Sequence, residues 1–225
     1  MPRTARASEA GFTYHVLNRR NARSEVFHKV ADYAAFVQII CEASLRLPMP
    51  LLAYCLKPNH FHLIVRPLAD GDLSRWMQWL LTTHVRRCLK HYGHSGCVWQ
   101  GRFKAFAAQD DDHLVTVVRY VERNPLRAGL VSRAEDWPWS SLSAVHWSTV
   151  PVPKLTPDEV VRRGNWVEFV NEPVTEAEAE AIRLCIRRNR PFGSDAWTRA
   201  TAARLGLQSS IRDRGGQRRP ETAII

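Results

Sequence analysis

The chain has 225 residues, 45% of them hydrophobic and 24% charged, a balance that excludes wholesale disorder, collagen-like repeats and disulfide mini-scaffolds. Lysine and arginine number 32 against 22 acidic residues, a formal net charge of +10, and such an excess asks for an anionic partner, nucleic acid being the usual one. No stretch approaches the roughly 18 apolar residues of a membrane span, and the five cysteines, odd in number and without C-x-x-C spacing, predict neither a disulfide framework nor a zinc ribbon. They fit a reducing cytoplasm, and Met1–Arg6 lacks the apolar core of a secretory signal.

In chain order, Phe12–Leu17 reads as a first strand, and Asp32–Leu45 as a helix with Phe36, Ile39, Ile40 and Ala43 at helical spacing, ended by Pro48 and Pro50. Two β-rich runs, Leu51–Leu56 and His60–Arg66, flank Lys57-Pro58-Asn59, which is turn chemistry and predicts a hairpin. A long helix follows from an N-cap at Asp72 to Tyr92, closing at Gly93. Phe103–Ala108 is a fourth strand, and Asp110-Asp111-Asp112 opens a helix reaching Asn124, where Pro125 stops it. The order βαββαβ predicts an α+β, ferredoxin-like antiparallel sheet with two helices on one face and the other face free for function.

Residues 1–150 carry a net +7, residues 151–175 a net −1 and residues 176–225 a net +4. With Pro151, Pro153, Pro157 and Pro173 clustered there, the middle region divides the chain into a main domain (1–147), a connector (148–174), a C-terminal helical appendage (175–211) and a basic tail (212–225) expected to be disordered when free. In the appendage, Thr175-Glu176-Ala177-Glu178 is a capping-box pattern opening one helix, and a second runs from Ser194 to Gly206. The two are expected to clamp the main domain.

Alternation along His60-Phe61-His62-Leu63-Ile64-Val65 puts His60 and His62 on one face, opposite Phe61, Leu63 and Val65. Two imidazoles side by side suit a metal ion, but an H-x-H strand also suits ordinary surface histidines. Tyr120 and Asn124 are four apart on one helix face, beside the apolar stripe of Leu114, Val117, Val118 and Val121. A core-edge tyrosine and a terminal cap would leave the same pattern. His84, His91 and His94 read as surface histidines.

Lys57-Pro58-Asn59-His60-Phe61-His62, Trp99-Gln100-Gly101-Arg102-Phe103-Lys104, Arg119-Tyr120-Val121-Glu122-Arg123-Asn124-Pro125-Leu126-Arg127-Ala128-Gly129-Leu130 and Trp137-Pro138-Trp139-Ser140-Ser141 occur in that order. Their combination resembles the REP-associated tyrosine transposases of the HUH single-strand nucleases, over roughly residues 11–146 and again at Arg190-Pro191-Phe192-Gly193. The resemblance implies the HUH nuclease fold and a metal-dependent transesterification on single-stranded DNA. His60 and His62 take the metal-binding HUH positions and Tyr120 the nucleophile position. Asn124 stands where relatives with a Tyr-x-x-x-Gln helix place a glutamine as third metal ligand. Attack by Tyr120 would leave a 5′-phosphotyrosine and a free 3′-OH, with Mn2+ or Mg2+ as cofactor. The implied target is a hairpin-forming repetitive extragenic palindrome in a bacterial cytoplasm, with the protein on the nucleoid when bound. Cations at Arg19, Arg20, Arg23, Arg66, Arg102, Lys104 and Arg123 are expected to contact phosphates, and Trp99 and Phe103 to offer stacking surfaces for unpaired bases. A monomer is expected, with a dimer as the alternative. The rival readings are a catalytically silent DNA-binding protein of the same fold and an RNA-binding module of related topology, although Phe61 alternates to the wrong face for the latter.

Overall fold

The structure is a computed structural model that describes residues 8–20, 24–93, 97–143, 152–158, 162 and 164–212. Arg23, His94 and residues 213–225 of the expected tail lie outside the described residues. Strand β1 (Thr13–Arg19), helix α1 (Val30–Arg46), strands β2 (Leu51–Lys57) and β3 (His60–Val65), helix α2 (Asp72–Tyr92) and strand β4 (Lys104–Ala108) follow the expected order. All neighbouring strands are antiparallel in the order β2-β3-β1-β4, the split βαβ plan of an α+β, ferredoxin-like fold. Helices α3 (Asp112–Glu122), α4 (Asn124–Arg127), α5 (Trp166–Asn171), α6 (Glu176–Arg188), α7 (Asp195–Arg204) and α8 (Gln208–Ile211), with a 3-10 turn at Ala134–Asp136 before α5, complete the described secondary structure. No described helix is long and apolar enough to cross a membrane.

Period-two alternation divides the sheet between two cores. Tyr14, Val16, Leu56, Phe61, Leu63 and Val65 pack with Phe36, Ile40, Leu73, Trp76 and Leu80 of α1 and α2. The opposite face is not free. Its Cys55, Ile64, Phe106 and Ala108 are covered by Leu114, Val117, Val118 and Val121 of α3, and by Trp166, Val170, Ile182 and Cys185 of α5 and α6. The apolar stripe of α3 needs a hydrophobic surface, and the second sheet face is the one that α1 and α2 leave. Trp99 and Phe103 also depart from expectation: both are 5% exposed and belong to the first core, so neither offers a ring to a base.

The cap of α2 is Gly71, not Asp72. Gly71 takes the left-handed φ of 83° that glycine adopts at little steric cost, while Asp72 accepts from the Ala69 amide and from Arg75. His84 is buried rather than on the surface, 2% exposed among Phe27, Phe36 and Trp99. Its position four residues after Leu80 on the apolar stripe explains this. Burial, above all, lowers its pKa from 6.5 to about 3, with Arg87 acting in the same direction and Asp32 against it. In that interval the unfolded chain binds a proton that the folded chain refuses, so this contribution to stability is complete above 6.5 and lost as pH falls toward 3. His84→Phe should therefore flatten the acid limb of urea-unfolding free energy against pH by about 1.4 kcal/mol per pH unit; an unchanged slope would contradict a buried neutral imidazole.

Pro125 does not end the helical path. It occupies the first turn of α4, where its missing N–H costs nothing, and the Arg127 amide donates to the Arg123 carbonyl at 3.0 Å. Farther along, the Phe192 amide donates to Ala107 O (2.8 Å) and Phe192 O accepts from the Gln109 amide (2.9 Å), so the chain after α6 lies against the edge of β4. Gly193 permits this approach, since a Cβ there would sit 2.5 Å from the Trp197 ring and 2.6 Å from Gln109 Oε1.

Candidate functional site

The second sheet face brings together side chains from β1, β2, β3 and the α3–α4 segment. His60 and His62 project from alternate positions of β3 with ring centroids 4.9 Å apart and planes at 81°. The Tyr120 ring stands edge-on to His62 at 6.1 Å. One turn later Asn124, fully buried, places Nδ2 at 3.4 Å from His62 Nε2 and donates to Tyr120 O at 3.2 Å. Tyr120, His60, His62 and Asn124 thus share one cluster, although they come from separate elements.

Three further groups complete it, none of them singled out in the sequence. His15 of β1 is fully buried and lies edge to edge with His62, with centroids 5.0 Å apart, planes at 8° and Nε2 2.8 Å from His62 Nδ1. Lys57 donates to the carbonyl and the side-chain oxygen of Asn124, both at 3.3 Å. Arg127 donates to Tyr120 Oη at 3.3 Å and to Asn124 Oδ1 at 3.2 Å, and its guanidinium lies 5.0 Å from the Tyr120 ring centroid. The alternation of β1 offered a signal for His15, because Leu17 pairs with His62 and His15 lies two residues back on the same face. Arg127 is seven residues after Tyr120, two helical turns, and was hidden by reading Pro125 as a stop.

The electrostatics follow from burial inside a ring of cations. Burial, then Lys57, Arg19, Arg127 and His15, push His60 down from 6.5 to about 3. Burial and then His60, His15, Lys57 and Arg127 hold His62 well below the usual imidazole range. Burial, followed by Arg127 and Arg19 and opposed by Cys55, lowers Lys57 from 10.5 to about 8. Both β3 histidines are accordingly neutral at physiological pH, the form that ligates metal ions. The surrounding positive charge suits a phosphodiester.

Four of the cations expected to meet phosphate have distinct settings. Arg19 pairs with His60 across β1–β3 and Lys104 pairs with Leu17 across β1–β4, which places both on the histidine face. Arg20 donates to the Glu25 carbonyl at 2.5 Å. Arg102 lines a cavity of about 350 Å³ with Ser74, Met77, Gln78, Leu81 and Phe103, on the α2 side of the sheet. The remaining two are engaged within the protein. Arg66 binds Thr13 Oγ1, Asp110 and Asp158. Arg123 donates to the Val170 and Asn171 carbonyls at the end of α5, a helix-capping role.

The family model described as Transposase IS200 like matches residues 8–124, just over half of the chain. The chain belongs to the IS200-like transposase family. Within it, the REP-associated tyrosine transposase of Escherichia coli is 27% identical over 135 residues, covering 59% of this chain and 77% of that protein. A Haemophilus influenzae protein assigned to the same REP-associated group is 26% identical over 141 residues, covering 58% and 78%. A solved REP-associated tyrosine transposase bound to a REP hairpin shares the fold at TM-score 0.52 and 24% identity, covering 72% of this chain and 98% of that one. The family expected from the four sequence motifs is thereby borne out, and the IS200-like match runs from β1 to Asn124, stopping short of Arg127.

Proposed function

We propose that the protein cleaves and rejoins single-stranded DNA beside hairpin-forming repetitive extragenic palindromes, through a covalent 5′-phosphotyrosine on Tyr120. The observation that carries this reading is the convergence of Tyr120, His62, Asn124 and Arg127 in one buried, positively charged cluster. Tyr120 Oη attacks phosphorus, the bond to the 3′ oxygen breaks, and that oxygen leaves as a hydroxyl. The guanidinium of Arg127, in contact with Tyr120 Oη, stabilises negative charge as it develops there. Arg19 and Lys104, on the histidine face, would meet the non-bridging oxygens and adjoining phosphates, with the buried Lys57 adding positive charge behind them. Because the phosphotyrosine link conserves the phosphodiester, a second 3′-OH can reverse the step without a nucleotide cofactor.

The donor set fits a divalent ion. His60 Nδ1 is engaged by Asn59 Oδ1 and His62 Nδ1 by His15, which leaves the Nε2 atoms of two neutral imidazoles to hold Mn2+ or Mg2+. Asn124 presents its NH2 to His62 and its oxygen to Lys57 and Arg127, so the two imidazoles hold the ion, and Asn124 becomes a third ligand only by turning its amide over and breaking both cation contacts. The ion, when bound, supplies charge neutralisation at the phosphate and at the leaving oxygen. The solved relative was bound to a REP hairpin, and the same class of DNA is proposed here. The test is incubation of labelled hairpin oligonucleotides with Mn2+ or Mg2+, followed by denaturing electrophoresis. A denaturation-resistant adduct that disappears with chelator is expected; tight hairpin binding with no adduct would leave a DNA-binding protein without the chemistry.

A further inference from the structure

We infer that His15 is a positioning residue for metal binding: it accepts the Nδ1–H of His62 and so fixes the tautomer with a bare Nε2, whose lone pair a divalent cation takes in place of the Asn124 N–H. The inference rests on the reading of His60 and His62 as metal ligands, and the chain of hydrogen bonds is what carries it. The side-chain oxygen of Asn124 faces Lys57 Nζ at 3.3 Å and Arg127 Nη2 at 3.2 Å, both of which only donate. That orients the amide, because turning it over would set its NH2 against two cations. The NH2 of Asn124 therefore faces His62 Nε2 at 3.4 Å, which must be an acceptor and carry no proton. A neutral imidazole has one N–H, so the proton of His62 lies on Nδ1 and points at His15 Nε2, 2.8 Å away.

His60 reaches the same state by another route. Its Nδ1 lies 2.5 Å from Asn59 Oδ1, an acceptor supplied by the adjacent residue in the hairpin loop. Both imidazoles thus carry their proton on Nδ1 and leave Nε2 bare, one oriented by a neighbour in sequence and the other by a residue on a different strand. Histidine ligands are commonly held in this way by a partner on the second ring nitrogen.

His15 has no evident structural reason to be polar. It is fully buried against Phe106, with ring centroids 4.9 Å apart, and its own Nδ1 has no hydrogen-bond partner among the described residues. A phenylalanine would fill the same space and remove the unpartnered His15 Nδ1, but it would strand the Nδ1–H of His62. The contact through Nε2 is what histidine provides there.

Two measurements test this. In metal-free protein, side-chain 15N NMR is expected to show His62 protonated on Nδ1 and bare on Nε2; the Nε2–H tautomer would overturn the inference, and this holds even if a His15 variant fails to fold. Binding of Mn2+ alone, followed by loss of the free-ion paramagnetic resonance signal, is then compared among wild type, His15→Phe, His15→Gln and a His60→Ala/His62→Ala double variant. His15→Phe should weaken Mn2+ binding about ten- to hundredfold, while His15→Gln, which keeps an acceptor, should recover most of the loss. If the double variant binds Mn2+ as wild type does, the metal reading itself fails. If the double variant loses Mn2+ and His15→Phe does not, the metal reading stands and the role of His15 falls.

Discussion

Tyr120→Phe is expected to abolish the covalent DNA adduct, a fall of more than about a thousandfold, because it removes the attacking oxygen and nothing else can stand in for it. The chain has five tyrosines. Tyr14, Tyr33 and Tyr54 belong to the core under α1 and α2, where burial raises the pKa of each. Tyr92 donates to Asp32, and burial with that carboxylate pushes its pKa up to about 12. Tyr120 is the tyrosine on the histidine face. The substitution keeps the ring, hence its edge-on contact with His62 at 6.1 Å and its contact with the Arg127 guanidinium at 5.0 Å. Hairpin affinity and thermal midpoint should therefore stay close to wild type, so that loss of adduct reports chemistry rather than folding. An adduct of undiminished yield in Tyr120→Phe would place the nucleophile elsewhere.

Glu122→Ala should have the largest effect on stability, about 3 kcal/mol or more in urea unfolding. Two residues beyond Tyr120, Glu122 is fully buried and joins α3 to distant parts of the chain. Oε1 accepts from Ser141 Oγ at 2.6 Å and from Arg162 Nη2 at 2.5 Å, and Oε2 accepts from Trp166 Nε1 at 2.7 Å. Removing the carboxylate leaves the Arg162 guanidinium with the Leu52 carbonyl but no counter-ion and strands an indole N–H, and the cost is chiefly that of the unpaired charge and donor. Glu122→Gln keeps the volume and one acceptor and should lose clearly less. A change below about 0.5 kcal/mol in Glu122→Ala would mean that α5 and the segment around Arg162 do not depend on this carboxylate.

Arg119 and Arg123 reinforce the same junction from the other side. Arg119 donates to the Glu172 and Pro173 carbonyls, and Arg123 to those of Val170 and Asn171. Arg123 is next to a site residue in sequence, and in space its charge is spent on a helix terminus. Adjacency in sequence did not carry Arg123 into the cluster that holds Asn124, because successive helical residues point in directions about 100° apart.

What the sequence determined by itself was local or periodic. The alternation of β3 separates His60 and His62 from Phe61, Leu63 and Val65, and the structure keeps that division. The Pro58-Asn59 turn sets the hairpin register that pairs Lys57 with His60, and four-residue spacing puts Tyr120 and Asn124 together, since 3.6 residues per turn requires it. Tertiary structure alone decided the rest. The face expected to be open is covered because α3 has an apolar stripe of its own to bury. His84, which looked like one of several surface histidines, belongs to the core by its place on the stripe of α2. His15, Lys57 and Arg127 reach the cluster from three separate elements, and no periodicity within any one of them records which atoms they will meet. Hydrogen bonds between strands and helices are set by pairing register and packing, and those exist only once the sheet has assembled.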